Sequence, residues 1–119
     1  MKVAQLLPEL NFGGVERGTV DLANFLVSQG HDAVVISAGG VLERELDTEV
    51  KSLQIPISKK SLSALMQFKA LKKILLEERP DIVHVRSRFP AWIYLLATRG
   101  MPNHQKPCLL YTSPSPRDS

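Results

Sequence analysis

A disulfide framework is excluded at the outset, because the chain holds a single cysteine, Cys108, and one thiol also leaves no multi-cysteine zinc site. No apolar run approaches the roughly 18 residues that a membrane-spanning helix needs. The opening stretch from Met1 to Glu9 lacks the long apolar core and small-residue cleavage site of a secretory signal. Charge of one sign is not concentrated anywhere. Fifteen Lys and Arg stand against 12 Asp and Glu, and the formal net charge of +3 permits contact with polyanions without pointing to one. Repeats of the solenoid kind are missing, and no low-complexity segment precedes Cys108. Together these absences make the cytoplasm the expected compartment.

What is present is ordinary for a globular domain. The 119 residues are 44% apolar and 23% charged, which suits one domain or part of one and is too apolar for a disordered chain. Val3 to Leu7 is a short apolar run that leads into Pro8, Asn11, Gly13 and Gly14, a buried strand followed by a glycine-rich loop. From Val15 to Gln29 most apolar residues share one helical face, and Gly30 is the expected stop. The continuous β-branched run Ala33 to Ala38 reads as a strand covered on both faces, ended by Gly39-Gly40. A short helix is expected over Val41–Val50, with Leu42, Leu46 and Val50 on one face. Leu53 to Ile57 alternates and contains proline, which suits an edge strand. Ser61 can cap a long helix running to about Glu78, where Pro80 stops it. Asp81 to Arg86 is another strand, and Pro90 fits the first position of a helix through Thr98, closed by Gly100.

The order β-α-β-α-β-α-β-α with short loops predicts an α/β fold, a Rossmann-like doubly wound parallel sheet with helices on both faces. Its strand order should be 3-2-1-4, with a fifth strand due after the last helix. The sequence at that point is unusual. Ser113-Pro114-Ser115-Pro116 can form neither helix nor sheet, and residues 108–118, back-translated, resemble the transposase-end adapter of shotgun sequencing libraries. The expected organisation is therefore a truncated domain over residues 1–107 and an artefactual or disordered tail over residues 108–119.

In a sheet of this kind ligands bind beyond the carboxyl ends of the strands, at the switch point between strands one and four. Two loops are singled out, Glu9 to Gly14 and Arg86 to Pro90. Gly13-Gly14 before a helix lets a backbone approach a ligand at free N–H groups, for which phosphate is the natural guest; the same pair equally suits a plain tight turn. The Gly-x-Gly-x-x-Gly spacing is absent, no acidic residue closes strand two, and no P-loop motif exists, so NAD and ATP sites of those types are disfavoured. Arg86 and Arg88 flank Ser87 at the same cleft mouth, where guanidinium forks suit phosphate, carboxylate or sugar hydroxyls; a solvated loop position is the other reading of Arg88. His84, between apolar neighbours, fits a hydrogen-bonded core residue better than a catalyst. His31 and His104 have no partners at metal spacing, so neither metal nor cofactor is expected. Trp92 and Tyr94 are expected in the core, with Trp92 placed where it could line an acceptor groove. Lys59, Lys60, Lys69, Lys72 and Lys73 form a solvated helix face or attract anionic lipid headgroups. Mixed with Glu77 and Glu78, they do not make a nucleic-acid recognition helix.

Several stretches are similar to the N-terminal domain of bacterial family-4 glycosyltransferases. They are Lys2-Val3-Ala4-Gln5-Leu6-Leu7-Pro8-Glu9-Leu10, Gly13-Gly14-Val15-Glu16-Arg17-Gly18, Gly30-His31, Ser37-Ala38-Gly39-Gly40 and Asp81-Ile82-Val83-His84-Val85-Arg86-Ser87-Arg88. The resemblance runs from residue 1 to about 107. It implies a retaining enzyme of two facing Rossmann-like domains (the GT-B fold) that moves a hexose-type sugar, without a metal, from a nucleotide-diphosphate-sugar to a cell-envelope glycan or lipid. Gly13 and Gly14 would approach the donor diphosphate, and Arg86, Ser87 and Arg88 would form the acceptor side. The donor-binding domain, with its glutamate motif, and the family's cleft histidine have no counterpart here, so this piece alone should be inactive. Peripheral contact with the inner face of the membrane is implied as well. The competing readings are a nucleotide-sugar epimerase of the same fold and a non-catalytic α/β binding module. A phosphorylatable receiver is disfavoured, because Glu9 alone and Ile57-Ser58 do not supply its acidic residues.

Overall fold

The computed structural model describes residues 1–11, 13–58, 61–102 and 106–111. Five strands, β1 (Lys2–Leu6), β2 (Asp32–Ser37), β3 (Lys51–Gln54), β4 (Ile82–Val85) and β5 (Cys108–Tyr111), alternate with helices α1 (Gly14–Ser28), α2 (Leu62–Leu65), α3 (Phe68–Glu78) and α4 (Arg88–Thr98). A 3-10 turn spans Val41–Glu45. The strands form one parallel sheet in the order β3-β2-β1-β4-β5, with β1 central and in register Gln5↔Val35 on one side and Gln5↔His84 on the other. This is the doubly wound α/β arrangement that the alternation of elements predicts.

Side chains that alternate along the strands feed two cores. On one face Ala33, Val35, Val20, Ala23, Leu42 and Val50 pack under α1 and the 3-10 turn. On the other, Ala4, Leu6, Val34, Ile36, Val83 and Val85 meet Leu71 and Leu75 of α3 and Ile93, Tyr94 and Ala97 of α4. Leu71 is fully buried, which for a side chain of that size is worth about 1.5–3 kcal/mol. At the amino ends of the strands the nearly buried carboxylate of Glu78 on α3 pairs with Lys2 of β1 at 3.2 Å and Lys51 of β3 at 2.9 Å.

Four boundaries differ from expectation, each for a local reason. The helix expected over Val41–Val50 stops after one 3-10 turn. Asn24 Oδ1 accepts from the Asp47 N–H, and Asp47 Oδ1 accepts from the Glu49 N–H, so side chains take donors that a helix would use. Strand β3 lies earlier than Leu53–Ile57. The Ile55 N–H makes the last bond to Ser37 O, and the Ile57 N–H then turns back to Ile55 O around Pro56. The long helix from Ser61 is two helices. Ser61 does cap the first, its Oγ accepting from the Ala64 N–H at 3.1 Å. The chain then tightens to bonds three residues back, Gln67 N–H to Ala64 O at 3.0 Å and Lys69 N–H to Met66 O at 3.5 Å. The buried stripe is Ala64, Leu71 and Leu75 with Phe68 partly covered, whereas Leu62 and Met66, although apolar, are exposed. Finally, α4 starts at Arg88, so Pro90 is its third residue; a helix's first turn has no intrahelical use for that N–H.

Of residues 108–119, read from sequence as an artefactual or disordered tail, the first four form a strand. Cys108–Tyr111 pairs with β4 in the register Ile82↔Cys108 to Val85↔Tyr111, and the Cys108 N–H bonds to Asp81 O at 2.9 Å. The edge of β4 carries free backbone donors and acceptors, which an extended neighbour satisfies through its main chain. All four β5 side chains are exposed. The Ser-Pro repeat lies outside the described residues.

Candidate functional site

Strands β1 and β4 are neighbours at the centre of the sheet, and the helices that follow them, α1 and α4, begin side by side at the carboxyl ends. The loop after β1 is fixed from beneath. Pro8 O accepts from the Ala38 N–H, Gly39 O from the Leu10 N–H, and Leu10 O from the Leu42 N–H. This approach is so close that a Cβ on Gly40 would lie 2.4 Å from the Leu10 carbonyl carbon. Glycine is required there by contact, not by turn geometry alone.

Gly13 is the N-cap of α1, with extended backbone, and no side chain caps the helix. Ser87 is the N-cap of α4, and its hydroxyl makes no capping bond either. Both helices at the cleft thus present uncapped first-turn N–H groups and the positive ends of their dipoles. The two glycines differ. A Cβ on Gly14 would meet nothing within 4 Å, whereas a Cβ on Gly13 would lie 2.6 Å from a Glu16 carboxylate oxygen. The Glu16 side chain therefore folds back over the start of its own helix.

A cavity of about 200 Å³ opens between the two loops. Leu7, Pro8 and Val15 supply apolar wall, and Glu9, Glu16, Arg86 and Ser87 supply polar groups. No ion pair within 4.0 Å joins Arg86 to either carboxylate. Arg86 is half-buried, and its Nε donates to Gln5 Oε1 at 3.0 Å. Gln5 is 1% exposed, and its Nε2 donates in turn to Thr19 O of α1 at 3.0 Å. Burial lowers the Arg86 pKa, yet a guanidinium stays charged at neutral pH. Such a group suits bidentate binding of an oxyanion or of paired hydroxyls.

Of the residues singled out from sequence, Arg86 and Ser87 line the cavity, and Gly13 and Gly14 stand exposed at its α1 side. Arg88 opens α4, is exposed, and does not line it. His84 is half-buried inside β4, and burial first, then the Arg86 charge, lowers its pKa, so the ring is neutral at neutral pH. Tyr94 is in the core, but Trp92 is 64% exposed, against the expectation of core packing for both. Lys69, Lys72 and Lys73 are exposed on α3, with Lys73 at 4.0 Å from Glu77. His31 Nδ1 lies 3.5 Å from the N-terminal amine. His104, Lys59 and Lys60 lie outside the described residues. Gln5 escaped the sequence reading, because one amide in an apolar strand carries no spacing signature; its only signal is a polar residue at a position that should be buried.

A larger hollow of about 490 Å³, with Arg79, Asp81 and Lys106 in its wall, lies at the opposite end of the strands. It faces the end of α3 rather than any helix N-terminus, where the dipole disfavours anions, so the β1–β4 cleft is the better candidate. No group of metal-ligating side chains occurs among the described residues, and none of their helices is long and apolar enough to cross a membrane.

Comparison with known proteins bears on the family and the fold. The family profile described as Glycosyltransferase Family 4 matches residues 12–112. A solved structure of a glycosyltransferase from Rickettsia africae ESF-5 superposes with a TM-score of 0.72 at 34% identity, covering 94% of this chain. The chain spans 28% of the length of that relative. No curated protein matches.

Proposed function

Because the chain belongs to glycosyltransferase family 4, we propose that it is the acceptor-side domain of a longer, retaining transferase. That parent moves a hexose-type sugar from a nucleotide-diphosphate-sugar to a cell-envelope glycan or lipid, in the cytoplasm or at the inner membrane face, without metal, cofactor or nucleic acid. One observation carries the reading. The two uncapped helix starts and the half-buried guanidinium of Arg86 converge on one cavity at the switch point of the sheet.

In this mechanism the donor's diphosphate approaches the first N–H groups of α1 at Gly13 and Gly14. Those dipoles stabilise the charge that grows on the leaving group. Glu16 must swing off Gly13 as the diphosphate arrives, since like charges cannot share that position. Arg86 and Ser87 hold oxygens of the acceptor, and Arg88 supplies positive charge at the rim.

The test is steady-state kinetics of the full-length parent with both substrates varied. A Cβ at Gly14 meets nothing within 4 Å, so Gly14→Val begins its side chain in open space. The expected result is a loss of about 30- to 1000-fold in kcat, from about 2–4 kcal/mol of lost leaving-group stabilisation. Arg86→Ala should chiefly raise the acceptor KM. Wild-type turnover by Gly14→Val would return the Gly-Gly pair to a plain turn.

A further inference from the structure

We propose that Gln5 is a positioning residue, a strut that fixes the guanidinium of Arg86 against α1 and turns its remaining donors toward the cleft; this rests on Arg86 being a ligand-holding group of the proposed transferase site. Gln5 sits in the central strand, next to His84 in the β1–β4 register, and is 1% exposed. A buried primary amide is costly unless both ends are satisfied. Here the partners dictate which end goes where. Thr19 O can only accept, so it faces Nε2, and Arg86 Nε can only donate, so it faces Oε1. The amide cannot flip without breaking both bonds.

The strut ties three elements together, namely the centre of β1, the first half of α1 and the residue after β4. Arg86 is anchored separately at its backbone, where its N–H bonds to Leu6 O at 3.0 Å. With backbone and Nε both held, the guanidinium has little rotational freedom left. Its four Nη hydrogens have no protein acceptor among the described residues. They belong to a half-buried group lining the 200 Å³ cavity, where unmet donors favour a ligand's oxygens. An arginine free to swing would lose entropy on every binding event; one held by Gln5 has less to lose.

The experiment uses the 119-residue chain and three variants, Gln5→Met, Gln5→Glu and Arg86→Ala, with Gln5→Met also combined with Arg86→Ala. Gln5→Met keeps length and volume but has no amide, whereas Gln5→Glu keeps an acceptor for Nε. Nitrogen-15 NMR reads the Arg86 Nε–H directly. Slow hydrogen exchange at that site should persist in the wild type and in Gln5→Glu, and should accelerate at least tenfold in Gln5→Met while backbone shifts away from β1 stay in place. Inorganic phosphate then serves as an oxyanion probe. Gln5→Met should weaken its binding about five- to tenfold when Arg86 is present and less than twofold when Arg86 is already alanine. Unchanged Nε–H exchange in Gln5→Met, or an equal loss of phosphate binding in both backgrounds, overturns the proposal. If Arg86→Ala alone leaves phosphate binding untouched, it is the ligand-holding role of Arg86 in the transferase reading that fails, and the exchange data still decide the role of Gln5.

Discussion

Two glycines, one beneath the β1 loop and one at the start of α1, carry opposite consequences, and the difference is steric. At Gly40 a methyl group would lie 2.4 Å from the Leu10 carbonyl carbon and 2.7 Å from the Asn11 nitrogen. Backbone on both sides must move, so Gly40→Ala should cost about 1–3 kcal/mol or more and lower the melting temperature of the domain by several degrees, measured by thermal denaturation. At Gly14 nothing lies within 4 Å. Gly14→Ala should stabilise the helix start by about 0.5–1 kcal/mol in the same measurement, which is the usual helical gain of alanine over glycine. Stabilisation combined with weaker pyrophosphate binding would mark Gly14 as kept for a ligand rather than for folding. Glu16 supplies a third expectation at this scale. Its carboxylate lies over Gly13, so Glu16→Gln removes a like charge from the anion's path. Pyrophosphate binding, followed by calorimetry at low salt, should tighten about threefold to tenfold.

Among elements, α3 shows how a crossover helix is pinned. It returns across the sheet from β3 to β4, and its Glu78 reaches Lys51 of β3 and Lys2 of β1. The hydrogen bond from Lys51 is the main cause of a lowered Glu78 pKa, with burial opposing it and Lys2 adding to it. A carboxyl whose native pKa is depressed binds its proton more readily in the unfolded chain. Its stabilisation is therefore complete above the ordinary glutamate value of 4.5 and disappears as pH falls through the lower native value. Glu78→Gln should thus reduce stability at pH 7 and flatten the acid limb of the stability–pH curve below about pH 5, read by urea denaturation across pH. The elements themselves were legible where the signal is local. Ala33 to Ser37 is a strand because β-branched residues run without a break, and Val15 to Ser28 is a helix because its apolar residues share a face. The division at Met66 and Gln67 was not legible, since Leu62 and Met66 continue the apolar spacing and only the sheet decides which stripe is covered. Nor was the end of β3, which depends on Ile57 turning back around Pro56. In the site, Gly13, Gly14, Arg86 and Ser87 could be read from their loops, whereas Gln5 acts through residues distant in sequence.

For the whole molecule, the edge of the sheet sets behaviour in solution. β5 is the last strand on its side, and Leu109, Leu110 and Tyr111 are exposed on it. Removing residues 108–119 would uncover β4, whose Val83 and Val85 belong to the core. The chain ending at Pro107 should therefore aggregate at lower concentration than the 119-residue chain, as light scattering would show. The adapter-like sequence of residues 108–118 carries an expectation of its own, that reads of the source DNA diverge beyond codon 107; a genomic copy encoding Cys108 to Ser119 in frame would refute it. The manner in which β5 is held reaches further. Its four residues join β4 in parallel register through the main chain, while all four side chains face solvent. The position beside β4 is a groove that recognises an extended backbone and asks little of the side chains. A domain cut at Pro107 and a synthetic peptide supplied in trans are thus two halves of a complementation pair, and the affinity between them would report, residue by residue, how little sequence a parallel edge requires.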